Sequence, residues 1–322
     1  MAPPSTNKSS PRQASLPVDA RPNFLLLGAG KSGTTTAWRC LDQHPEVFVP
    51  DVKEPNFFAL HGETIPSDPG PDRMHHYPQS ATDAAAYRAL FKDAPEGASA
   101  RGEASPMYLY DDRAPRRIRA LLGADVRLIA FLRQPAERLF SRWQHLVADE
   151  HPPADDIRDA LDPTSIWHRR PDLVPEGFYA RYLRRYIDRF PRANLRVFLF
   201  DDLVDNPVPT MQEVYRFLGV DPTFTPTMAR YNASHRVEHP VGAWLFGRQS
   251  GAKRVLRRLA PAATKTLQQS PVARRLLTWV RRRTGQRDTL SPALRDQLTD
   301  ALYADDIREL ELLLDRSLNH WL

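Results

Sequence analysis

The sequence is poor in cysteine, in long apolar runs and, over one stretch, in acid. Cys40 is the only cysteine, so no internal disulfide and no cysteine-based metal cage can form, and the residue reads as a small buried one. The histidines are scattered and make no HExxH pair, so a protein-held metal is not expected. Apolar runs such as Phe24 to Leu27 and Val197 to Phe200 fall far below the roughly 20 residues needed to cross a bilayer. The opening "MAPPSTNKSSPRQASLPVDARP" has no apolar core of a secretory signal. It reads as a Pro/Ser-rich disordered leader over residues 1–20, and the chain is expected to stay in the cytoplasm.

Acid is missing between Pro240 and Arg287. Twelve lysines and arginines stand there without one Asp or Glu, whereas the formal net charge of the chain is only +6. The remainder is therefore acidic overall, and the basic excess is local.

What is present alternates between short apolar strands and helical patterns. "NFLLLG" reads as a buried strand running into a loop, with a helix after Gly33 that carries Trp38 and Leu41 on its apolar side. "DVRLIAFLR" is a second buried strand, followed by Pro135 at a helix start and by Leu139, Phe140, Trp143, Leu146 and Val147 at helical spacing. "GFYARYLRRYIDRF" sets Tyr179, Tyr182, Leu183, Tyr186 and Phe190 on one helical face. "LRVFLF" is a third strand, and "VPTMQEVYRFLGV" a further helix. Ser291 caps a last helix whose Tyr303, Ile307, Leu310 and Leu314 face the core.

Strand, helix and strand again imply parallel pairing. The expected fold is α/β: a single domain over 21–322 with a central parallel sheet flanked by helices, P-loop-like, and ligands at the carboxyl ends of the strands.

"GAGKSGTTTAW" then becomes the candidate ligand loop. A Walker A loop needs Gly, four residues, then Gly-Lys-Ser/Thr, but the residue five before Gly30 is Leu25, inside the strand. The loop is too short for that purpose, yet a lysine and successive N–H groups at a helix start still make an anion site. A second cluster lies about 100 residues on, in "LIAFLRQPAERLFSRWQH". Arg133 ends a strand as a forked, permanent cation, and Ser141 follows two turns into the next helix.

Together these motifs resemble the sulfotransferases that use 3′-phosphoadenosine 5′-phosphosulfate (PAPS). "KSGTTTAW" is similar to their 5′-phosphosulfate loop, and Arg133 with Ser141 to their 3′-phosphate motif. "HPEVFVPDVKEPNFF" resembles the acceptor-side loop of bacterial and glycan members, and "RGEASPMYLY" the segment that follows. "LFDDLVDNP", "YRFLGV", "YNAS" and "LNHWL" extend the likeness from Phe24 to Leu322.

The resemblance implies a sulfotransferase that moves a sulfuryl group from PAPS, leaving adenosine 3′,5′-bisphosphate (PAP), to an acceptor hydroxyl on a carbohydrate, glycolipid or secondary metabolite. It implies Lys31, Ser32, Gly33, Thr34, Thr35 and Thr36 as the phosphosulfate cradle, with Lys31 also stabilising the leaving oxygen. Arg133 and Ser141 take the 3′-phosphate, joined by Ser234 and Arg236 of "YNASHRVEHP". Glu54 matches the catalytic base of glycan sulfotransferases, while His61 and His44 stay as alternatives. No metal is required. Two departures, Asn56 where glycan members often carry histidine and Ala104 where they carry an acceptor-side lysine, set the acceptor half apart.

The basic segment at 240–290 carries Leu256, Leu259, Val272, Leu276 and Val280 among its arginines, a pattern of two amphipathic helices broken at Pro261 and Pro271. Three readings stand: a lid over the acceptor site, peripheral contact with an anionic membrane at its inner face through 245–287, and a solvated outer face. Two rival functions remain: a P-loop-type nucleotide kinase or NTPase, and a non-catalytic membrane- or nucleic-acid-binding protein. The leading reading expects no nucleic-acid partner, and the arginine- and proline-rich composition suggests a bacterial source.

Overall fold

The computed structural model describes residues 21–65, 79–148, 153–154, 156–228 and 289–322. The leader at 1–20, Ser234, Arg236 and the acid-free stretch from Pro240 to Arg287 lie outside the described residues.

Five strands form one parallel sheet. They are β1 (Phe24–Gly28), β2 (Val47–Phe48), β3 (Ala100–Ala104), β4 (Arg127–Leu132) and β5 (Leu195–Leu199), arranged β2-β3-β1-β4-β5. Parallel neighbours need long crossovers, and the crossovers supply the helices that cover both faces.

Residues alternate between those faces along the two central strands. Leu25 and Leu27 of β1 and Leu128, Ala130 and Leu132 of β4 enter one core. Phe24, Leu26, Ile129 and Phe131 enter the other. The first core is closed by α2 (Phe57–Leu60), α4 (Met107–Tyr110), α5 (Ala114–Leu122), α6 (Pro135–Ala148) and α8 (Tyr179–Ile187), through side chains such as Phe58, Tyr108, Ile118, Leu139 and Tyr186. The second is closed by α1 (Thr34–Asp42) and α10 (Pro207–Leu218) through Ala37, Leu41, Met211 and Val214. Small helices α3 (Ala84–Ala89), α7 (Ile166–Arg169) and α9 (Phe200–Asp205) fill the connections.

The three apolar segments read from the sequence are β1, β4 and β5. Strands β2 and β3 were not legible there. β3, "ARGEA", has no β-branched residue, and its Gly102 lies in register with Phe24. A Cβ at Gly102 would come within 2.5 Å of the Phe24 ring, so the strand is small where its neighbour is large.

The C-terminal helix is two helices, α11 (Pro292–Leu302) and α12 (Ala304–Leu314), with a break at Tyr303. Ser291 caps α11 as expected, its Oγ accepting from Leu294 N at 3.3 Å. Tyr303, Ile307 and Leu310 are buried in the first core and Leu314 packs against it from its rim. Cys40 is buried too, its thiol pushed up to about 11 by burial, which makes it inert.

Candidate active site

The carboxyl ends of β1, β3 and β4 meet in one place. Ala29 N, just past β1, donates to Phe131 O of β4 at 2.7 Å, and Ser105 N, just past β3, donates to Leu26 O at 3.1 Å. The loop from Ala29 to Gly33 therefore rises between the ends of β3 and β4.

That loop is shaped by left-handed backbone at two positions, Lys31 (φ 67°) and Gly33 (φ 86°). Gly33 is required twice over. A side chain is strained at that φ, and a Cβ would stand 2.8 Å from Leu203 Cδ2 and 3.1 Å from the Phe200 ring. Gly33 is also the N-cap of α1, where no side chain caps the helix and no acid stands in the first turn. An uncapped helix start of this kind, with the positive pole of the helix behind it, is suited to an anion. Lys31, Thr35 and Thr36 are half-buried there, while Ser32 and Thr34 are buried.

Arg133 follows β4 and lies beside this loop's root. Its Nε and Nη2 donate to Glu137 Oε2 at 3.2 and 3.0 Å, and its Cζ stands 4.8 Å from the Phe200 ring centre. Tyr179 Oη donates to Arg133 O at 2.9 Å, so the start of α8 pins the strand end. Ser141 stands two turns along α6, half-buried. Gln134 caps α6 with its side chain, Oε1 accepting from Glu137 N at 2.8 Å, and its amide reaches Thr299 Oγ1 at 2.6 Å and Trp321 O at 3.1 Å. The terminal "LNHWL" thus fastens, through Trp321 O, the start of the helix that follows Arg133.

Glu54 sits across the end of β3. Its N–H donates to Ala104 O at 3.0 Å and its φ is 63°. Lys53 Nζ donates to Glu54 Oε1 at 2.6 Å, the pairing that a purely loop-shaping role would also give. Asn56, in left-handed backbone at φ 52°, is buried, its N–H donating to Ser105 Oγ at 3.1 Å. Ser105 Oγ donates in turn to Glu103 Oε2 at 2.7 Å.

Glu103 was not singled out in the sequence. It is buried on β3, and its Oε1 accepts from Tyr87 Oη at 3.1 Å and Tyr108 Oη at 2.6 Å. Burial pushes it up to about 7. The three hydroxyl donors pull the other way, and the Glu54 charge adds to the rise.

A second unforeseen carboxylate, Glu176, takes Arg138 Nη1 at 2.7 Å and stands 3.9 Å from where a Gly30 Cβ would be. Arg138 is fully buried, so Glu176 supplies the counter-charge it needs. An isolated acid, on a short strand for Glu103 and on a single helical turn for Glu176, offers no sequence signal for either role.

The alternative histidines have contacts of their own. His44 is buried between Tyr215 and Phe224, with Nε2 3.0 Å from Asp221 O and Nδ1 accepting from Glu46 N at 3.1 Å, so both ring nitrogens are engaged. His61 packs against Phe57 at a tilt, its Nδ1 is 3.2 Å from Thr82 O, and it lines a cavity of about 550 Å³ with Arg116, Arg117 and Ala120. Among the described residues no group of three or more His, Cys, Asp or Glu could hold a metal ion, and no helix is long and apolar enough to cross a membrane.

A parallel sheet whose first loop carries a lysine before an uncapped helix start, beside a strand-end arginine, makes this an α/β protein with the P-loop-like arrangement. Residues 22–226 match the model of the sulfotransferase family, and the chain belongs to that family. It is similar to a crystal structure of a sulfotransferase from Alicyclobacillus acidocaldarius, at 29% identity and a TM-score of 0.66, covering 94% of this chain and 99% of that one. It is 28% identical over 247 residues to the bovine bifunctional heparan sulfate N-deacetylase/N-sulfotransferase 2, which covers 74% of this chain and 26% of the relative. To the mouse heparan sulfate glucosamine 3-O-sulfotransferase 3A1 it is 25% identical over 201 residues, 62% of this chain and 46% of that relative. The chain spans about a quarter of the bovine relative and under half of the mouse one.

Proposed function

We propose that the protein transfers a sulfuryl group from PAPS to an acceptor hydroxyl on a glycan. The observation that carries this reading is the Ala29 N to Phe131 O bond, which sets the Lys31 loop and the Arg133 strand end side by side. One cation site can then take the 5′-phosphosulfate and the other the 3′-phosphate of the same nucleotide. That is a pair of demands no ATP-type donor makes.

In this reading the cradle at α1 holds the phosphosulfate through the N–H groups of Ser32 to Thr36. Lys31 stands by the bridging oxygen, where negative charge grows as the sulfur–oxygen bond breaks. Arg133 and Ser141 bind the 3′-phosphate, with Ser234 and Arg236 as further donors. Glu54 removes the acceptor proton, help typically worth about 10² to 10⁴ in rate. Its place at the end of β3, one strand from the cradle, supports that role. The glycan acceptor is supported by the relatives, whose names specify heparan sulfate and its glucosamine. The charge of residues 245–287 supports peripheral contact with an anionic membrane on the cytoplasmic side.

Calorimetric titration with PAP, ATP and 5′-AMP tests the donor half. Micromolar binding selective for PAP, lost in Arg133→Ala and weakened in Lys31→Ala, is expected. Equal binding of ATP and PAP, or no nucleotide binding, would overturn the reading.

A further inference from the structure

Arg133 meets its nucleotide with a carboxylate already attached. Glu137 Oε2 takes Nε and Nη2 side-on, which fixes the guanidinium plane and leaves Nη1 to point elsewhere. The arrangement orients the arginine, but it also brings a negative charge next to the position a phosphate dianion would take. Unbalanced, that charge would oppose binding.

The balance comes from a remote part of the chain. Arg295, on α11, places Nε 3.5 Å from Glu137 Oε1, the oxygen that Arg133 does not use. Arg295 is itself held by backbone: Nη2 donates to His320 O at 2.8 Å and lies 3.5 Å from Trp321 O, and Nη1 pairs with Asp296 at 3.1 Å. Arg295 and Glu137 are both mostly shielded, at 22% and 33% exposed, so their charges are felt more than on an open surface. The α11 and C-terminal segments that carry Arg295 are the same ones that Gln134 ties to the start of α6.

We propose that Arg295 is a positioning residue for 3′-phosphate selectivity: it neutralises Glu137, so that this carboxylate can orient Arg133 without repelling the phosphate. The proposal rests on the donor reading above, with Arg133 at the 3′-phosphate. It assigns a binding role to α11, which lies beyond the residues matched by the family model.

The test needs no acceptor. PAP and 5′-AMP are titrated into the wild type, Arg295→Gln, Arg295→Lys and the double variant Arg295→Gln/Glu137→Gln, each checked for an intact thermal transition. Glutamine keeps a donor for His320 O while removing the charge. Arg295→Gln is expected to weaken PAP about tenfold, equivalent to about 1.4 kcal/mol, and to leave 5′-AMP within about twofold. Arg295→Lys should keep most of the selectivity, and adding Glu137→Gln should restore most of the lost PAP affinity.

If the wild type does not prefer PAP to 5′-AMP, the donor reading falls and this one with it. A wild type that prefers PAP, beside an Arg295→Gln variant that keeps its selectivity, loses both ligands equally or is not rescued by Glu137→Gln, overturns the role of Arg295 alone.

Discussion

Lys53 Nζ donates to Glu54 Oε1 at 2.6 Å, and the two adjacent side chains are each about one-fifth exposed. The pair separates the two roles open to Glu54. A carboxylate that only shapes its loop would lose little catalysis on conversion to glutamine, because the amide still accepts from Lys53. A base would lose nearly everything. Glu54→Gln is expected to lower turnover by about 10² to 10⁴ with PAP affinity unchanged, read by sulfate transfer from labelled PAPS to heparosan-type oligosaccharides. Turnover within tenfold of wild type would return Glu54 to loop shaping.

Glu103 carries a pH signature. Its ordinary value is 4.5 and its folded value about 7, so the folded state binds a proton more readily than the unfolded chain does. Stability from this group is fully present below about pH 4.5 and is lost as pH rises through about 7. At about 1.4 kcal/mol per pH unit the change is on the order of a few kcal/mol. Asp306, pushed up to about 6 by burial while accepting from Ala180 N at 3.1 Å, contributes with the same sign. Glu103→Gln should therefore flatten the fall in urea stability between pH 4.5 and 7 without abolishing it. An unchanged slope would place the titration elsewhere.

The parts of this molecule that the sequence made plain are those with repetition or charge of a recognisable kind. β1 and β4 are apolar runs buried on both faces, β5 is an edge strand whose Leu195, Phe198 and Leu199 are buried while Arg196 is exposed, and α8 repeats Tyr179, Tyr182, Leu183 and Tyr186 at helical spacing. Lys31, Arg133 and Ser141 stand out as candidates because their motifs set a cation and a hydroxyl at fixed spacing. β3 could not, since its small residues make sense only opposite Phe24. Glu103, Glu137 and Arg295 are ordinary charges in the sequence. What they touch is set by the fold, as when Ser105 Oγ joins Glu103 to Asn56 or Arg295 comes to Glu137 from the far end of the chain.

Gly33 tests the cradle by geometry alone. Alanine there must accept a φ of 86° and place a Cβ against Leu203 and Phe200. The two faults together should cost about 1 to 3 kcal/mol in stability and distort the uncapped start of α1. Gly33→Ala is expected to lower the thermal midpoint and to weaken 5′-AMP and PAP alike, since both use the 5′-phosphate cradle. Equal loss of the two ligands would distinguish this variant from Arg133→Ala, which should spare 5′-AMP. Unchanged affinity for both would show that the cradle is not where the nucleotide binds.

The C-terminal Trp321 is tied to Gln134, the residue that follows Arg133. Its ring is 1% exposed, its Nε1 donates to Asp201 Oδ2 at 2.8 Å, and its carbonyl accepts from Gln134, whose Oε1 caps α6. Replacing a buried tryptophan by alanine typically costs about 3 to 5 kcal/mol, and here it would also loosen the chain end whose carbonyl holds Gln134, next to Arg133. Trp321→Ala should lower the urea midpoint and weaken PAP more than 5′-AMP. Trp321→Phe, which fills most of the volume but gives up the Asp201 bond, should recover much of the stability and most of the PAP selectivity. If Trp321→Ala reduces stability while the PAP to 5′-AMP ratio stays at the wild-type value, the C-terminus is a fastening of the core and does not reach the 3′-phosphate end of the site.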